Sequence, residues 1–256
     1  MGLSAIVRLP SPLLAEGEVT HIERRPLDVD RAIAQHGAYL DLLEAHGVRL
    51  ILARRCDDHP DGVFVEDALF MVEGTAVLTR PGAPSRRGEV DSIAAVIDHL
   101  GIASKRVESP ATIDGGDVLV TKRHIFVGST SRSNEAATEA LGTVTARLGR
   151  TIVRVPVTGC LHLKSAITVL PDGSLVAVPG WVPEPLFSDL GYTVRAANEP
   201  SGGDVLCLGQ SVILPADAPQ TAAALERWGF TPVTIDVSEL QKVEAGVTCM
   251  SVLVTL

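Results

Sequence analysis

No apolar stretch in this 256-residue chain reaches the roughly 18–20 residues that a membrane span needs, so no spanning helix is expected. The N-terminus lacks the basic-then-apolar layout of a signal peptide, and "MGLSAI" carries Ile6 where a myristoylation site needs Ser or Thr. Cys56, Cys160, Cys207 and Cys249 are scattered, with no C-x-x-C pair and no dense framework. They read as reduced thiols of a cytoplasmic protein. Apart from His162, the histidines sit on expected helices or loops with no H-x-x-x-H spacing, so neither a metal nor another cofactor is expected. Positive charge is also short: the formal net charge is −9, which argues against nucleic acid and tolerates a small cationic ligand.

What is present is a repeated order of elements. "ALFMV" (68–72), a Glu73-Gly74 turn and "TAVLT" (75–79) make a hairpin. "PSRRGEVDSIAAVIDHLG" then reads as a helix opened by Pro and Ser, and "KRVES" as a strand. The same strand, strand, helix, strand unit returns as "DVLVTKRHIFVG", the helix 131–149 and "TIVRV". It returns again as "SAITVLPDGSLVAV", a short helix near 183–190 and "YTVRAA". A fourth copy is "GDVLCLGQSVILP", "APQTAAALERWG" and "TPVTID". The fifth is divided between the termini: "TCMSVLVTL" and "SAIVRLP" supply its hairpin, and the helix 29–46 and "VRLILA" complete it. Five units of roughly 50 residues, the last made by both chain ends, predict a single-domain (1–256), five-fold pseudo-symmetric α/β propeller. It is built from ββαβ modules and closed by pairing of the N- and C-terminal strands. Closure removes exposed strand edges.

A ring brings corresponding positions together near its axis. The stretches entering the five hairpins are "FVEDA", "IDGGDV", "LHLKSA", "SGGDV" and "GVTCMS". They place Cys249, His162, Asp114, Glu66 and Asp67 around one expected pocket. Taken alone, Cys249 would be a small buried hydrophobe and His162 an ordinary hydrogen-bonded histidine. Together they offer a nucleophile, a proton carrier and carboxylates. Asp117 and Asp204, inside the repeated GGDVL, are expected to be structural, capping turns whose glycines take positive φ. Arg86 and Arg132 recur at the helix openings of the first two modules and suit a carboxylate ligand.

"DGVFVEDALF", "LTRPGAPSRRGEVD", "ATIDGGDVLV", "LHLKSA" and "KVEAGVTCMSVLV" resemble the dimethylarginine dimethylaminohydrolases of the guanidino-group modifying superfamily, from about residue 5 to the C-terminus. The resemblance implies a five-fold α/β propeller that needs no cofactor. It implies hydrolysis of Nω,Nω-dimethylarginine and Nω-monomethylarginine to citrulline plus dimethylamine or methylamine. It assigns Cys249 as nucleophile, His162 as general acid and base, and Asp114 as the third catalytic member. Glu66 and Asp67 would hold the guanidinium, Arg86 and Arg132 the α-carboxylate, Asp61 and the Val243 carbonyl the α-amino group. Phe64 would wall the pocket. Residues 10–18 would form a lid, with Leu13 or Leu14 reaching the substrate. The partner is a small cationic amino acid, bound by a monomer or homodimer.

Two other readings compete. An arginine deiminase-like enzyme would act on arginine or a related guanidino compound, but such relatives tend to carry H-x-D where this chain has His162-Leu163-Lys164. A non-catalytic binder of arginine analogues would leave Cys249 and His162 without a purpose.

Overall fold

A short turn starts each hairpin. At Glu73 and Gly74 the backbone takes φ of 48° and 77°, both positive as a type I′ turn requires, and its twist suits the strands it joins. Leu69–Val72 and Thr75–Leu78 consequently pair antiparallel, with Leu69 opposite Leu78 and Val72 opposite Thr75. The chain leaves through the helix Glu89–His99 and returns as Ser104–Arg106, parallel to the second hairpin strand. Val90, Ile93 and Ile97 bury one face of that helix. It begins later than Pro84 and Ser85 suggest, because Pro84–Arg86 first form a 3-10 turn whose last side chain, Arg86, is buried.

This computed structural model describes residues 2–145 and 149–256, and the same three-stranded arrangement occurs five times in it. In the second module Val118–Val120 and His124–Ser129 form the hairpin, and Thr151–Pro156 returns parallel. Its helix, Glu135–Thr145, starts after Asn134, whose Oδ1 accepts the Ala137 N–H; residues 131–133 precede the cap and are not helical. Residues 146–148 of the expected helix lie outside the described residues. The third module pairs Ile167–Val169, Leu175–Ala177 and Val194–Ala196 around a short helix, Glu184–Asp189. The fourth pairs Leu206–Leu208, Ser211–Pro215 and Thr231–Ile235 around Pro219–Arg227. In the fifth, Leu3–Val7 pairs antiparallel with Val252–Thr255 and parallel with Arg49–Leu52, so both chain ends share one sheet.

The apolar packing closes the cycle. Phe70 and Val77 of the first module pack with Val118, Ile125 and Leu141 of the second. Leu119 and Phe126 of the second meet Ile167, Leu175 and Phe187 of the third. Val176 of the third joins Val205, Val212 and Leu225 of the fourth. Leu206 and Ile213 of the fourth join Ala5, Tyr39 and Leu43 of the fifth, whose Ile6 and Val252 pack with Leu69, Leu78 and Ile93 of the first. Each fully buried Leu, Ile, Val or Phe contributes on the order of 1.5–3 kcal/mol, and every one of these clusters spans two modules. The result is a five-fold α/β propeller. No helix among the described residues is long and apolar enough to cross a membrane.

The two GGD stretches differ from expectation. Gly115, Gly116, Gly202 and Gly203 do not have positive φ. They are glycines because neighbouring groups approach too closely: a Cβ on Gly115 would lie 1.9 Å from the Glu66 carbonyl oxygen and one on Gly203 2.9 Å from that of Ser165, while Gly116 and Gly202 face the side chains of His162 and Thr221. The aspartates that follow join modules instead of capping turns. Asp117 Oδ1 accepts the Leu163 N–H at 3.1 Å, and Asp204 Oδ1 accepts the Thr248 N–H at 3.0 Å. Asp67 repeats the device, its Oδ1 accepting the Gly116 N–H at 3.1 Å.

Candidate active site

Those carboxylate-to-backbone links tie the first entrance to the second, the second to the third and the fourth to the fifth, and the Glu66 N–H donates to the Cys249 carbonyl to join the fifth to the first. Cys249 and His162 line one small cavity at this junction, together with Asp67, Phe64, Asp61, Arg86, Arg132 and Val243. Asp114 stands behind the imidazole, with its Oδ2 3.1 Å from His162 Nε2. Asp67 Oδ1 lies 3.7 Å from His162 Nδ1. Both ring nitrogens therefore face carboxylates, and all three side chains are buried. Gly116 makes room for this ring, because a Cβ there would lie 2.7 Å from Nδ1.

Burial alone would push the His162 pKa down. The carboxylates of Asp67, Asp114 and Asp117 overcome that penalty and raise it to about 9, so the resting ring is an imidazolium at neutral pH. Burial raises the Cys249 thiol well above its ordinary value, and the charges of Asp204, Glu66 and Asp67 add to the effect. A single N–H, from Gly246 to Sγ at 3.3 Å, works the other way. The free site thus holds a neutral thiol beside a cationic acid. A cation placed against Cys249 would favour the thiolate.

The two arginines are not equivalent. Arg86 is used by the protein: Nη1 is paired with Asp67 Oδ2 at 2.5 Å, and Nε and Nη2 bond the two oxygens of Glu89 at 3.0 and 2.8 Å. Nη2 also faces the carbonyls of Asp61 and Phe64. Burial works against the Asp67 carboxylate, but His162 and Arg86 overcome it and hold its pKa at about 2, so it stays anionic. Arg132 keeps capacity, because its buried Nη1 has no hydrogen-bond partner. Its Nη2 lies 3.1 Å from Glu18 Oε2. Asp61 is buried, which raises its pKa against the pull of Arg86, and its Oδ2 accepts the Glu18 N–H at 3.1 Å.

Two expected site residues lie elsewhere. Glu66 is not a wall of this cavity. Its carboxylate is held by Lys164 and by Thr248 Oγ1, at 2.8 Å from the latter, and borders a separate cavity among Leu69, Val118 and Val205. Leu14 is wholly buried in the core with Tyr39 and Val63, while Leu13 is exposed. The residue of the expected lid that reaches the cavity is Glu18. Glu244, Leu161 and Ala245 complete the walls. Glu244 takes φ of 63°, and its carboxylate accepts the N–H groups of Thr20, His21 and Ile22, which fastens the cover in place. Leu161 and Glu244 were within reach of sequence reasoning, since they sit in the quoted stretches around His162 and Val243. Glu18 carried no such signal.

The enclosed space is about 20 Å³, enough for about one water molecule. A methylated arginine can enter only if part of this wall moves. Asp67, Asp114 and His162 also form a group whose ligand atoms lie within 4.8 Å of one another. With the imidazole protonated at neutral pH, a metal ion would have to displace that proton to bind there.

The chain is similar to known proteins over nearly its whole length. Residues 23–158 match the family model described as "N,N dimethylarginine dimethylhydrolase, eukaryotic". The chain is 43% identical over 249 residues to the N(G),N(G)-dimethylarginine dimethylaminohydrolase of Streptomyces coelicolor, covering 97% of this chain and 95% of that one. It is 30% identical over 247 residues to the enzyme of the same name from Pseudomonas aeruginosa, covering 96% and 97%. A crystal structure of the Pseudomonas aeruginosa protein, a cysteine-to-serine mutant complexed with citrulline, superposes with a TM-score of 0.91 at 29% identity, over 99% and 100% of the two chains. A cyanobacterial arginine dihydrolase domain, at 16% identity and a TM-score of 0.85, shares the fold.

Proposed function

We propose that this chain, which belongs to the dimethylarginine dimethylaminohydrolase family, hydrolyses Nω,Nω-dimethylarginine and Nω-monomethylarginine to citrulline plus dimethylamine or methylamine. The observation that carries the reading is the shared cavity of Cys249 and His162, with Asp114 bonded to the far side of the imidazole.

A guanidinium carbon is a poor electrophile because its charge is delocalised. The site answers with a sulfur nucleophile and with Asp67, an anion that keeps the cation in place. Substrate binding brings positive charge beside Cys249 and offsets the burial and carboxylate repulsion that hold the thiol protonated. The Cys249 thiol gives up its proton to solvent, and the resulting thiolate adds to the guanidinium carbon to give a tetrahedral adduct. The His162 imidazolium donates its proton to the departing methylamine, leaving a thiouronium on Cys249 and a neutral imidazole. That imidazole takes a proton from water, the hydroxide adds to the thiouronium carbon, and the C–S bond breaks to release citrulline. Asp114 keeps the ring oriented through both half-reactions. Asp61 and the Val243 carbonyl take the α-ammonium group, Phe64 walls the aliphatic stem, and Arg132 takes the α-carboxylate. Arg86 acts through Asp67, which it holds anionic.

Lys164 supports methylarginine over arginine. In the sequence it stands where arginine-specific relatives tend to carry the Asp of H-x-D, and in the fold it pairs with Glu66 away from the Cys249 cavity. The enzyme works as one catalytic unit, a monomer or homodimer in the cytoplasm, with its four cysteines unpaired. Incubation with dimethylarginine, monomethylarginine and arginine, followed by colorimetric assay of citrulline, tests the reading. Turnover of both methylated substrates well above arginine is expected. Faster turnover of arginine would assign the deiminase reaction instead.

A further inference from the structure

Glu18 engages both ends of the proposed amino-acid subsite with a single residue. Its backbone N–H donates to Asp61 Oδ2 at 3.1 Å, the carboxylate assigned above to the substrate α-ammonium. Its side-chain carboxylate lies 3.1 Å from Arg132 Nη2, the cation assigned to the substrate α-carboxylate. Ser85 Oγ donates to the other oxygen of Glu18. Gly17 permits the approach, since a Cβ there would meet Asp61 Oδ1 at 2.7 Å. We propose that Glu18 is a specificity-determining residue: it stands in for the head group of the substrate and yields only to a ligand that carries its own α-carboxylate. The inference rests on the assignment of Asp61 and Arg132 as head-group partners.

The exchange is favourable because Glu18 fills the subsite incompletely. One of its oxygens meets one nitrogen of Arg132, while the buried Nη1 is left without a hydrogen-bond partner. A carboxylate seated across the guanidinium fork would satisfy both nitrogens, which a buried donor demands. Glu18 remains 37% exposed at its side chain against 6% for Arg132, so it returns to water at small cost. A ligand with the guanidinium but no carboxylate has nothing to offer Arg132. If it displaces Glu18, it leaves a buried charge unpaired. If it does not, the enclosed space remains too small to admit it. Glu18 therefore costs a true amino-acid substrate part of its binding energy and costs a decarboxylated analogue more.

Glu18→Gln separates these effects, with Glu16→Gln as a control of equal charge change two residues away on an exposed position. Steady-state kinetics would compare dimethylarginine with dimethylagmatine, its decarboxylated analogue, and calorimetry would compare L-citrulline binding to each variant. Glu18→Gln is expected to lower KM for dimethylarginine and the citrulline Kd about fivefold, with kcat changed less than twofold, equivalent to about 1 kcal/mol. Glu16→Gln is expected to change neither by more than about twofold. For dimethylagmatine, on which Glu18 imposes the larger cost, KM is expected to improve more than for dimethylarginine, so discrimination between the two narrows. An unchanged or weaker citrulline Kd in Glu18→Gln, or an equal gain from Glu16→Gln, would overturn the proposal. Equal gains for both substrates would also overturn it. Absence of citrulline production by the wild-type protein would defeat the proposed reaction instead, and the calorimetric comparison would still decide the role of Glu18.

Discussion

Asp114 Oδ2 and His162 Nε2 lie 3.1 Å apart with both side chains closed to solvent, so this contact governs the orientation and charge of the ring. Replacing the carboxylate with an amide keeps the shape and removes a negative charge. Asp114→Asn is expected to reduce kcat for citrulline formation by on the order of a hundredfold or more, within the range that positioned acid–base catalysis contributes. Retained activity above a tenth of wild type would mean that the carboxylates of Asp67 and Asp117 suffice to orient the imidazole.

The nucleophile is checked by replacing sulfur with oxygen. Cys249→Ser should abolish turnover while leaving citrulline binding measurable by calorimetry. In the free wild-type enzyme, burial and three nearby carboxylates keep the thiol protonated. Alkylation of Cys249 by iodoacetamide should accordingly keep rising as pH passes 9. A rate that levels off near neutral pH would show a thiolate already formed in the resting site.

Stability follows the same charges. His162 carries a folded pKa of about 9 against about 6.5 for a free imidazole. A raised histidine contributes fully below pH 6.5 and loses that contribution as pH climbs through 9. Burial raises Asp117 to about 6 and Asp204 to about 7, and Glu66 adds to the Asp204 shift; their contribution is complete below about pH 4 and gone above those values. The thermal midpoint should therefore fall from pH 5 to pH 9.5. His162→Asn should flatten the decline between 6.5 and 9 and spare the lower part. An equally steep decline in that variant would assign it to other groups. Asp67, held at about 2, works in the opposite sense and only in acid.

Crowding at the entrances gives a fourth test. Gly115→Ala would set a Cβ 1.9 Å from the Glu66 carbonyl, against rigid backbone, and should cost several kcal/mol in urea unfolding. Gly116→Ala would press on His162 Nδ1 and Asp67 Oδ1 at 2.7 and 2.8 Å, both on side chains. It should lose activity by a larger factor than it loses stability. The reverse ranking for Gly116→Ala would show that the imidazole can shift without penalty.

The modular repeat was legible because hairpin turns and helix faces leave short-range marks, such as Glu73-Gly74 and the Val90–Ile93–Ile97 stripe. Cys249, His162 and Asp114 could be grouped because the repeat puts equivalent positions side by side. Side-chain commitment was not legible. Whether Arg86 faces a ligand or Glu89, and whether Glu66 faces a ligand or Lys164, depends on partners 3 to 98 residues away. Glu18 had no marker, since an acid in a loop acquires meaning only once the loop folds onto Asp61 and Arg132. The GGD glycines were read as turn formers because φ is the commonest reason for glycine. Here close approach is the reason, of backbone at Gly115 and Gly203 and of side chains at Gly116 and Gly202.

The joined termini bear on biosynthesis. Cys249 precedes the strand Val252–Thr255, which pairs with Leu3–Val7 at the opposite end of the polypeptide. The fifth sheet cannot form before residues 252–255 have been synthesised, and the reactive sulfur precedes that strand by only a short step along the chain. A chain cut before Cys249 would hold four modules and an acid but no nucleophile, so chemical competence waits for the strand that completes the ring.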